Sequence, residues 1–477
     1  VYKPQEILRL FPKSNDSFFE PNYITGILWA IEALAWSPVY LISAIGALGA
    51  LAALPYEKTN WSNTPMNSIV SIVLPWHPQT LADSEKRKNA LRCLKNDNPE
   101  VFWKVLVKLL PNKTNTTADN PKPKYLSLAI PEKITVTKAE VYEQYTYNLE
   151  LAVETADGDV EKCEILAKQI EYMQEATLLK YLGDIEKNLD SLGETEVFSL
   201  WLHLRERMAQ MQPEENTVIN RHRDKIQALI QAMEPGNICV KYRELYLGNR
   251  YLFDKGDFET TWKMLEYKKT QAIREIYDQY GVEETEAFGQ AVNNIWDVAH
   301  KLGDSLNIEE ISEIIEKYCE GKLSQPFYIS CIGSFCYNFG TEKLMQTSLT
   351  QKDVSIILET LSKLSFSIEL YHVVESILPE EAEYWKIANV PYGYGEDKAE
   401  ELKLVVKKFV EYKRYVAAVN IAGRSKAKGV FTAQDIYNLL KLAGTENSIG
   451  METIDDYAVQ QLVGWLQEQD EISLEMK

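Results

Sequence analysis

The thiols around residue 331 are the first side chains in this sequence whose types could do chemistry. Cys331 and Cys336 have four residues between them, with Cys319 upstream and His372 downstream. Thiolate sulfur and imidazole nitrogen are zinc ligands, so these four groups could in principle hold a zinc ion. Their spacing is wider than the tight cysteine pairs of zinc sites, and Phe335 beside them is a core residue type. The sequence therefore favours buried thiols over a zinc site.

Catalysis by acid, base or nucleophile would need groups at a recognisable spacing. The histidines form no two-histidine helical motif and none adjoins a serine elbow. The run GRSKAKG at 423–429 has neither the spacing nor the preceding strand of a phosphate-binding loop. We therefore expect no catalytic residue, metal or cofactor in this chain, and a hydrolase site assembled across a groove is the least supported alternative. The five histidines are His77, His203, His222, His300 and His372.

Two short stretches have compositions that are typical of contact surfaces. Arg221, His222 and Arg223 form a basic run that could meet an acidic protein or a phosphate. The alternative is that the run complements neighbouring carboxylates on a solvated helix. Tyr392 and Tyr394 lie in the sequence PYGYG, and tyrosines on a flexible loop are favoured at protein interfaces. Here the alternative is a tyrosine-lined turn between helices.

Charge and cysteine usage restrict the partners and the compartment. The 477 residues include 51 Lys and Arg against 70 Asp and Glu, a formal net charge of −19. Nucleic acid is thus an unfavourable partner, because its affinity for proteins comes largely from cations. Six cysteines scattered along a long chain are typical of a reducing cytosol, so we expect a cytoplasmic protein.

The longest apolar run covers residues 39–54, between Pro38 and Pro55. It is shorter than the roughly 20 residues that a membrane span needs, and we interpret it as a buried helix. The alternative is a membrane hairpin with the preceding helix, but Glu32 interrupts that helix. We therefore expect no membrane association.

Helical periodicity dominates the remainder of the chain. At roughly 35 to 45 residues per helical hairpin, the chain would hold on the order of ten to fourteen hairpins, which predicts an all-α, tetratricopeptide-like α-solenoid. The stretch 245–265 partly matches a tetratricopeptide hairpin, with Gly248, Tyr251 and Gly256 at its marker positions. Amphipathic helices are predicted over 86–94, 98–110, 159–182, 195–211, 308–319, 354–364 and 399–423, the last broken near Lys413.

One polar, proline-containing segment interrupts this pattern. Residues 112–124 predict a loop, and alternation over 125–130 and 133–137 predicts short strands. The expected organisation is an amino-terminal helical layer (1–111), a loop with a short extended segment (112–137), helical repeats (138–235), tetratricopeptide-like repeats (236–320) and distal helical repeats (321–477).

The stretch WSNTPMNSIVSIVLPWHPQT at 61–80 predicts a structural corner between two helical hairpins. Its prolines stop helices at fixed points, and its large apolar side chains could lock the loop onto adjacent helices. A binding role for Trp76 and His77 is the alternative. The predicted corner residues are Trp61, Pro65, Leu74, Pro75, Trp76 and Pro78.

The order of five sequence blocks resembles the carboxy-terminal region of the Avs family, the antiviral STAND ATPases of bacteria and archaea. The blocks are ILWAIEALAWSPVYL (27–41), the corner (61–80), NPEVFWKVLVKLLP (98–111), LSKLSFSIELYHVVESILPEEAEYWK (361–386) and VVKKFVEYKRYVAAVNIA (405–422). The resemblance extends over most of the chain. It gives no residue pattern for target contact, so Arg221, His222, Arg223, Tyr392 and Tyr394 are contact predictions from composition alone.

This resemblance implies a function. Family members combine an amino-terminal effector, a central ATPase and a carboxy-terminal sensor, and this chain is similar to the sensor alone. Because it has no Walker motif and begins at Val1, we expect a fragment from downstream of the ATPase, with ATP and Mg²⁺ belonging to that region. The sensor is implied to bind a phage protein, the large terminase subunit in preference to the portal, and so to trigger oligomerisation and effector activation. A free-standing helical-repeat scaffold that bridges cellular proteins is the alternative.

Overall fold

Helices account for all the regular secondary structure that is described. The computed structural model describes residues 4–11, 23–56, 61–112, 116–125, 128–131, 134–211, 217–248 and 257–469. These residues form 25 α-helices, several short 3-10 segments and no β-strand. The predicted all-α class is therefore confirmed.

The chain divides into two units, which we call unit 1 (Val1–Lys241) and unit 2 (Tyr242–Lys477). The predicted boundaries at 112–137 and 320–321 lie inside these units. Unit 1 contains α1 (Pro4–Leu8), α2 (Ile24–Ala35), α3 (Leu41–Ala52), α4 (Pro65–Ile72), α5 (Ser84–Asp97), α6 (Pro99–Lys108), α7 (Lys138–Ala156), α8 (Val160–Ala167), α9 (Glu175–Asn188), α10 (Glu194–Gln210), α11 (Val218–Arg221), α12 (Arg223–Ala232) and α13 (Ile238–Lys241). Unit 2 contains α14 (Phe258–Tyr280), α15 (Val282–Ala291), α16 (Ile295–Gly303), α17 (Ile308–Cys319), α18 (Gln325–Phe339), α19 (Val354–Lys363), α20 (Ile368–Ile377), α21 (Glu381–Ile387), α22 (Ala399–Glu411), α23 (Tyr415–Arg424), α24 (Ala433–Thr445) and α25 (Asp456–Gln467).

Most predicted helices are present with ends within a few residues of the expected ones. The break near Lys413 separates α22 from α23, as predicted. Local signals explain these ends: the Asp83 side chain accepts a hydrogen bond from the backbone N–H of Lys86 at 2.8 Å and so begins α5. Asn307 and Glu310 form a reciprocal capping box at the start of α17.

The single helix predicted over 159–182 is wrong, because the chain breaks there into α8 and α9. Between them lie a 3-10 turn at Ile170–Tyr172 and an extended residue, Met173. The Tyr181 hydroxyl on α9 donates a hydrogen bond to the carbonyl oxygen of Cys163 on α8 at 2.7 Å. Packing of α9 back on α8 therefore overrides the continuous helical periodicity.

The strands predicted over 125–130 and 133–137 are absent from the described parts of both stretches. The preceding loop bonds to the corner instead: Gln79 Nε2 donates to the carbonyl oxygen of Ala118 at 2.8 Å, and the Asn120 N–H donates to Gln79 Oε1 at 2.5 Å. A strand needs a neighbouring strand to satisfy its backbone groups, and the described residues offer none.

Helices α16 and α18 of unit 2 stack side by side, as successive layers of a solenoid do. Side-chain hydrogen bonds join residues 34 apart at three consecutive turns of α16 and α18: Ser330 with Trp296, Ser334 with His300, and Asn338 with Asp304. The two helices therefore run in the same direction. A separation of 34 residues between successive layers is what stacked helical hairpins produce. In the predicted tetratricopeptide hairpin, Gly248 has a positive φ of 74°, while Tyr251 and Gly256 lie outside the described residues.

The apolar run at 39–54 forms α3, which packs against α2, α4 and α5. Among the described helices, none combines the length and the apolar character that crossing a membrane requires.

Candidate protein-interaction surface

The basic run lies at the junction of α11 and α12 and is largely engaged within unit 1. His222 Nε2 lies 2.8 Å from Glu175 Oε1, and Arg221 Nη2 lies 3.4 Å from Glu175 Oε2. The hydrogen bond from His222 is the largest influence that holds the pKa of Glu175 below its usual value, and the charge of Arg221 adds to it. Arg223 Nη2 donates to Asn220 Oδ1 at 2.7 Å. The run therefore complements a carboxylate, and Arg221, about half exposed, is the most exposed residue of the three.

The two tyrosines of the 391–395 loop have opposite environments. Tyr392 is 80% exposed, with the Arg424 guanidinium 5.1 Å from its ring centre. Tyr394 is only 7% exposed, and its hydroxyl donates to the carbonyl oxygen of Phe366 at 3.1 Å. Burial raises its pKa. Tyr394 therefore belongs to the core, and its prediction as a contact residue is incompatible with this geometry.

The corner at 61–80 contains α4 and the turn that follows it. Pro65 occupies the first turn of α4, and the Thr64 hydroxyl accepts the Asn67 N–H at 3.2 Å. Trp61 is about half exposed and Trp76 is partly buried, so prolines and one leucine form the buried part of the corner. The buried residues are Pro65, Leu74, Pro75 and Pro78.

The cysteines considered for zinc are distributed between two helices. Cys331 and Cys336 are buried in α18, whereas Cys319 is exposed at the end of α17. Burial raises the pKa of Cys336 to about 12, so its thiol stays protonated at neutral pH. The described residues contain no group of three His, Cys, Asp or Glu placed to hold a metal ion.

Exposed aromatic side chains on α14 and α16 are the surface that the sequence analysis missed. Trp262 is 47% exposed and Trp296 is 58% exposed, and Phe258 and Tyr267 are also exposed. The Phe258 ring stacks on Trp262 with ring centres 6.4 Å apart. We call these four residues the α14–α16 aromatic surface. The signal that could have revealed it is the spacing of 34 residues between the two tryptophans, which equals the layer spacing of unit 2.

A network of four charges fixes the helices that carry this surface. Glu266 accepts from Lys301 Nζ at 2.9 Å and from Lys269 Nζ at 3.3 Å, and Lys269 Nζ also lies 3.1 Å from Asp297 Oδ2. Trp262 precedes Glu266 by one helical turn, and Trp296 directly precedes Asp297. The tryptophans are therefore carried by a braced junction between two helices.

Partial burial makes this network stronger than an ordinary surface ion pair. The side chains of Lys269 and Lys301 are mostly buried. Burial alone would raise the pKa of Glu266, but the hydrogen bonds and charges of the two lysines outweigh it and lower that pKa. Lys269 also lies over the Tyr246 ring, with Nζ 4.8 Å from the ring centre.

Comparisons of the chain with protein-family models, curated proteins and solved structures give no significant match. What the chain does must therefore be argued from its own residues.

Proposed function

We propose that this chain is a protein-recognition module that binds a folded partner through the α14–α16 aromatic surface. Two half-exposed tryptophans on braced helices are the observation that supports this proposal. Tryptophan and tyrosine dominate binding energy at protein interfaces. Because the helices are already fixed, binding would cost little conformational entropy in the module.

The partner that we propose follows from the resemblance to the Avs family. It is a phage protein, the large terminase subunit in preference to the portal. Binding would then trigger oligomerisation of a longer cytoplasmic protein, whose ATPase uses ATP and Mg²⁺ and whose effector acts against the phage. The chain itself acts as sensor and carries out no catalysis.

A second candidate function is a scaffold that bridges two cellular proteins. The observation that favours it is an additional exposed apolar face in unit 1, on and between α2 and α3, formed by Trp29, Val39, Tyr40 and Ile42. A scaffold needs two such surfaces, whereas a sensor needs one.

Co-purification with purified phage large terminases and portals, followed by size-exclusion chromatography, tests the sensor proposal. A stable complex with one class supports the proposal and names the target. Absence of a complex with every protein in the panel would contradict it and favour the scaffold. An Arg221→Glu variant, which keeps Arg223 in place for Asn220, shows whether the basic run contributes: unchanged affinity removes Arg221 from the interface.

A further inference from the structure

A cavity of about 460 Å³ opens in unit 1 where the end of α6 meets the turn between α8 and α9. Its size lies in the range of small-molecule sites. The turn covers residues 168–174, where sequence periodicity predicts a continuous helix and the chain instead ends α8 before it begins α9. The break thus creates a concavity in unit 1, whereas the α14–α16 aromatic surface belongs to unit 2.

Three cationic residues and one carboxylate line the cavity. Lys108, Lys168 and Arg207 line it together with Glu171. Residues 151–200, which supply Lys168 and Glu171, contain 12 Asp and Glu against 4 Lys and Arg, so the excess of cations in the lining comes from Lys108 and Arg207. A concave site with an excess of one charge concentrates ligands of the opposite charge.

Two of these cations, Lys108 and Lys168, have no carboxylate partner among the described residues. Lys108 Nζ donates to the neutral Asn67 side chain at 2.7 Å. Within the described residues, Lys168 has no side-chain hydrogen bond or ion pair.

Arg207 is the most informative of the three because its side chain is only 24% exposed. Its Nη1 forms a loose ion pair with Glu171 Oε1 at 3.8 Å, beyond hydrogen-bond distance, and donates to Gln210 Oε1 at 3.3 Å. A guanidinium has five N–H donors. Most of the five donors of Arg207 have no hydrogen-bond acceptor among the described residues. A partly desolvated cation with spare donors is suited to an oxyanion ligand.

Part of the cavity wall is apolar. Leu110 and Pro111 are buried and Val107 is half-buried, and the Tyr172 ring is also part of the lining. A phosphate could meet the cations while an attached ring packs on this wall, because a phosphate monoester offers three oxygens and close to two negative charges. We propose that this cavity binds a small phosphate monoester with a ring-shaped carbon skeleton, of the nucleoside monophosphate type.

Isothermal titration of the full chain with adenosine 5′-phosphate, phenyl phosphate and inorganic phosphate tests this site. We expect at least one monoester to bind more tightly than inorganic phosphate, which lacks the ring. Arg207→Ala and Lys168→Ala should each weaken that binding by about tenfold or more, because each removes a charge-assisted contact. Lys263→Ala is the matched control, since Lys263 is an exposed lysine of unit 2 paired with Glu259 at 2.6 Å, and it should leave the affinity unchanged.

Circular dichroism distinguishes a lost site from a misfolded variant. Lys168 is exposed, so its alanine variant should keep the parent's spectrum and melting temperature. If none of the three probes binds at about 5 mM, the affinity is too weak for a specific site, and this result would overturn the proposal. Equal binding by the parent and both cavity variants would overturn it as well. Neither result depends on whether the chain recognises a phage protein.

Discussion

Glu32 is the only charged residue between Glu20 and Glu57, and it is almost completely buried. Among the described residues its side-chain partner is Ser68, whose hydroxyl donates to Glu32 Oε1 at 2.5 Å. Burial raises the pKa of Glu32, and the Ser68 hydrogen bond offsets only part of that effect. An ionised carboxylate without a cation therefore costs stability at this position.

This arrangement predicts a pH-dependent effect of Glu32→Gln. The pKa of Glu32 is higher in the folded chain than in the unfolded chain. The contribution of Glu32 to stability is therefore fully present below its unfolded pKa, and it is lost as the pH rises through its folded pKa. We expect the variant to melt at a higher temperature than the parent at pH 7, and at nearly the same temperature at pH 4. A variant that is less stable at pH 7 would show that burial is not the dominant influence on Glu32.

Tyr394 and Tyr392 provide a matched pair on one loop. Tyr394→Phe removes the hydrogen bond to the Phe366 carbonyl and should lower the free energy of unfolding by about 1 kcal/mol. Tyr392→Phe removes an exposed hydroxyl and should have almost no effect. Urea denaturation measures both, and equal losses would contradict the assignment of Tyr394 to the core.

At the scale of elements, the contact between α16 and α18 requires a small residue at position 303. A Cβ on Gly303 would lie 2.4 Å from the carbonyl oxygen of Cys331 and 2.8 Å from Ser334 Cβ. Both distances are shorter than real Cβ contacts, so the helices approach as closely as they do because Gly303 has no side chain.

Gly303→Ala should therefore destabilise the protein by about 1 to 3 kcal/mol, the usual cost of overpacking a core. The matched control is Gly333→Ala on α18, where the nearest atom to a new Cβ is Leu364 Cδ2 at 3.8 Å. Because alanine is the better helix former, this control should be neutral or stabilising by up to about 1 kcal/mol. A stabilising Gly303→Ala, measured by urea denaturation, would show that the two helices can separate without cost.

Sequence patterns predicted the helices well and the local packing less well. Periodicity is a property of one element, so α5, α17 and the break before α23 could be predicted from it. The break at 168–174, and the absence of strands from the described parts of 125–137, depend on which elements these segments pack against. Tyr394 shows the same limit for the predicted contact residues. Composition placed it on a loop, but composition does not indicate that its side chain is buried in the core.

At the scale of the molecule, negative charge is concentrated in unit 2. Unit 1 contains 26 Lys and Arg against 31 Asp and Glu, whereas unit 2 contains 25 against 39. A partner that docks on the α14–α16 aromatic surface would therefore approach an acidic unit, and charge complementarity favours a basic contact face.

Affinity for such a partner should fall as salt rises from about 0.05 to 0.5 M, because screening weakens attraction between exposed charges. Titration of the partner at several salt concentrations measures this dependence. The melting temperature of the chain in the same buffers is the control for salt effects on folding. Affinity that rises with salt would indicate a purely apolar interface.

The central claim is that the chain recognises its partner through the α14–α16 aromatic surface. Its most direct test is the binding isotherm of the double variant Trp262→Ala, Trp296→Ala with the phage protein that co-purifies with the parent. Both side chains are about half exposed, so we expect the variant to stay folded and to lose about 2 kcal/mol or more of binding free energy, roughly a 30-fold change in affinity. The matched control Trp29→Ala, an exposed tryptophan of unit 1, should bind like the parent. Parent-like binding by the double variant, with binding lost in the Trp29 variant, would contradict recognition through α14 and α16.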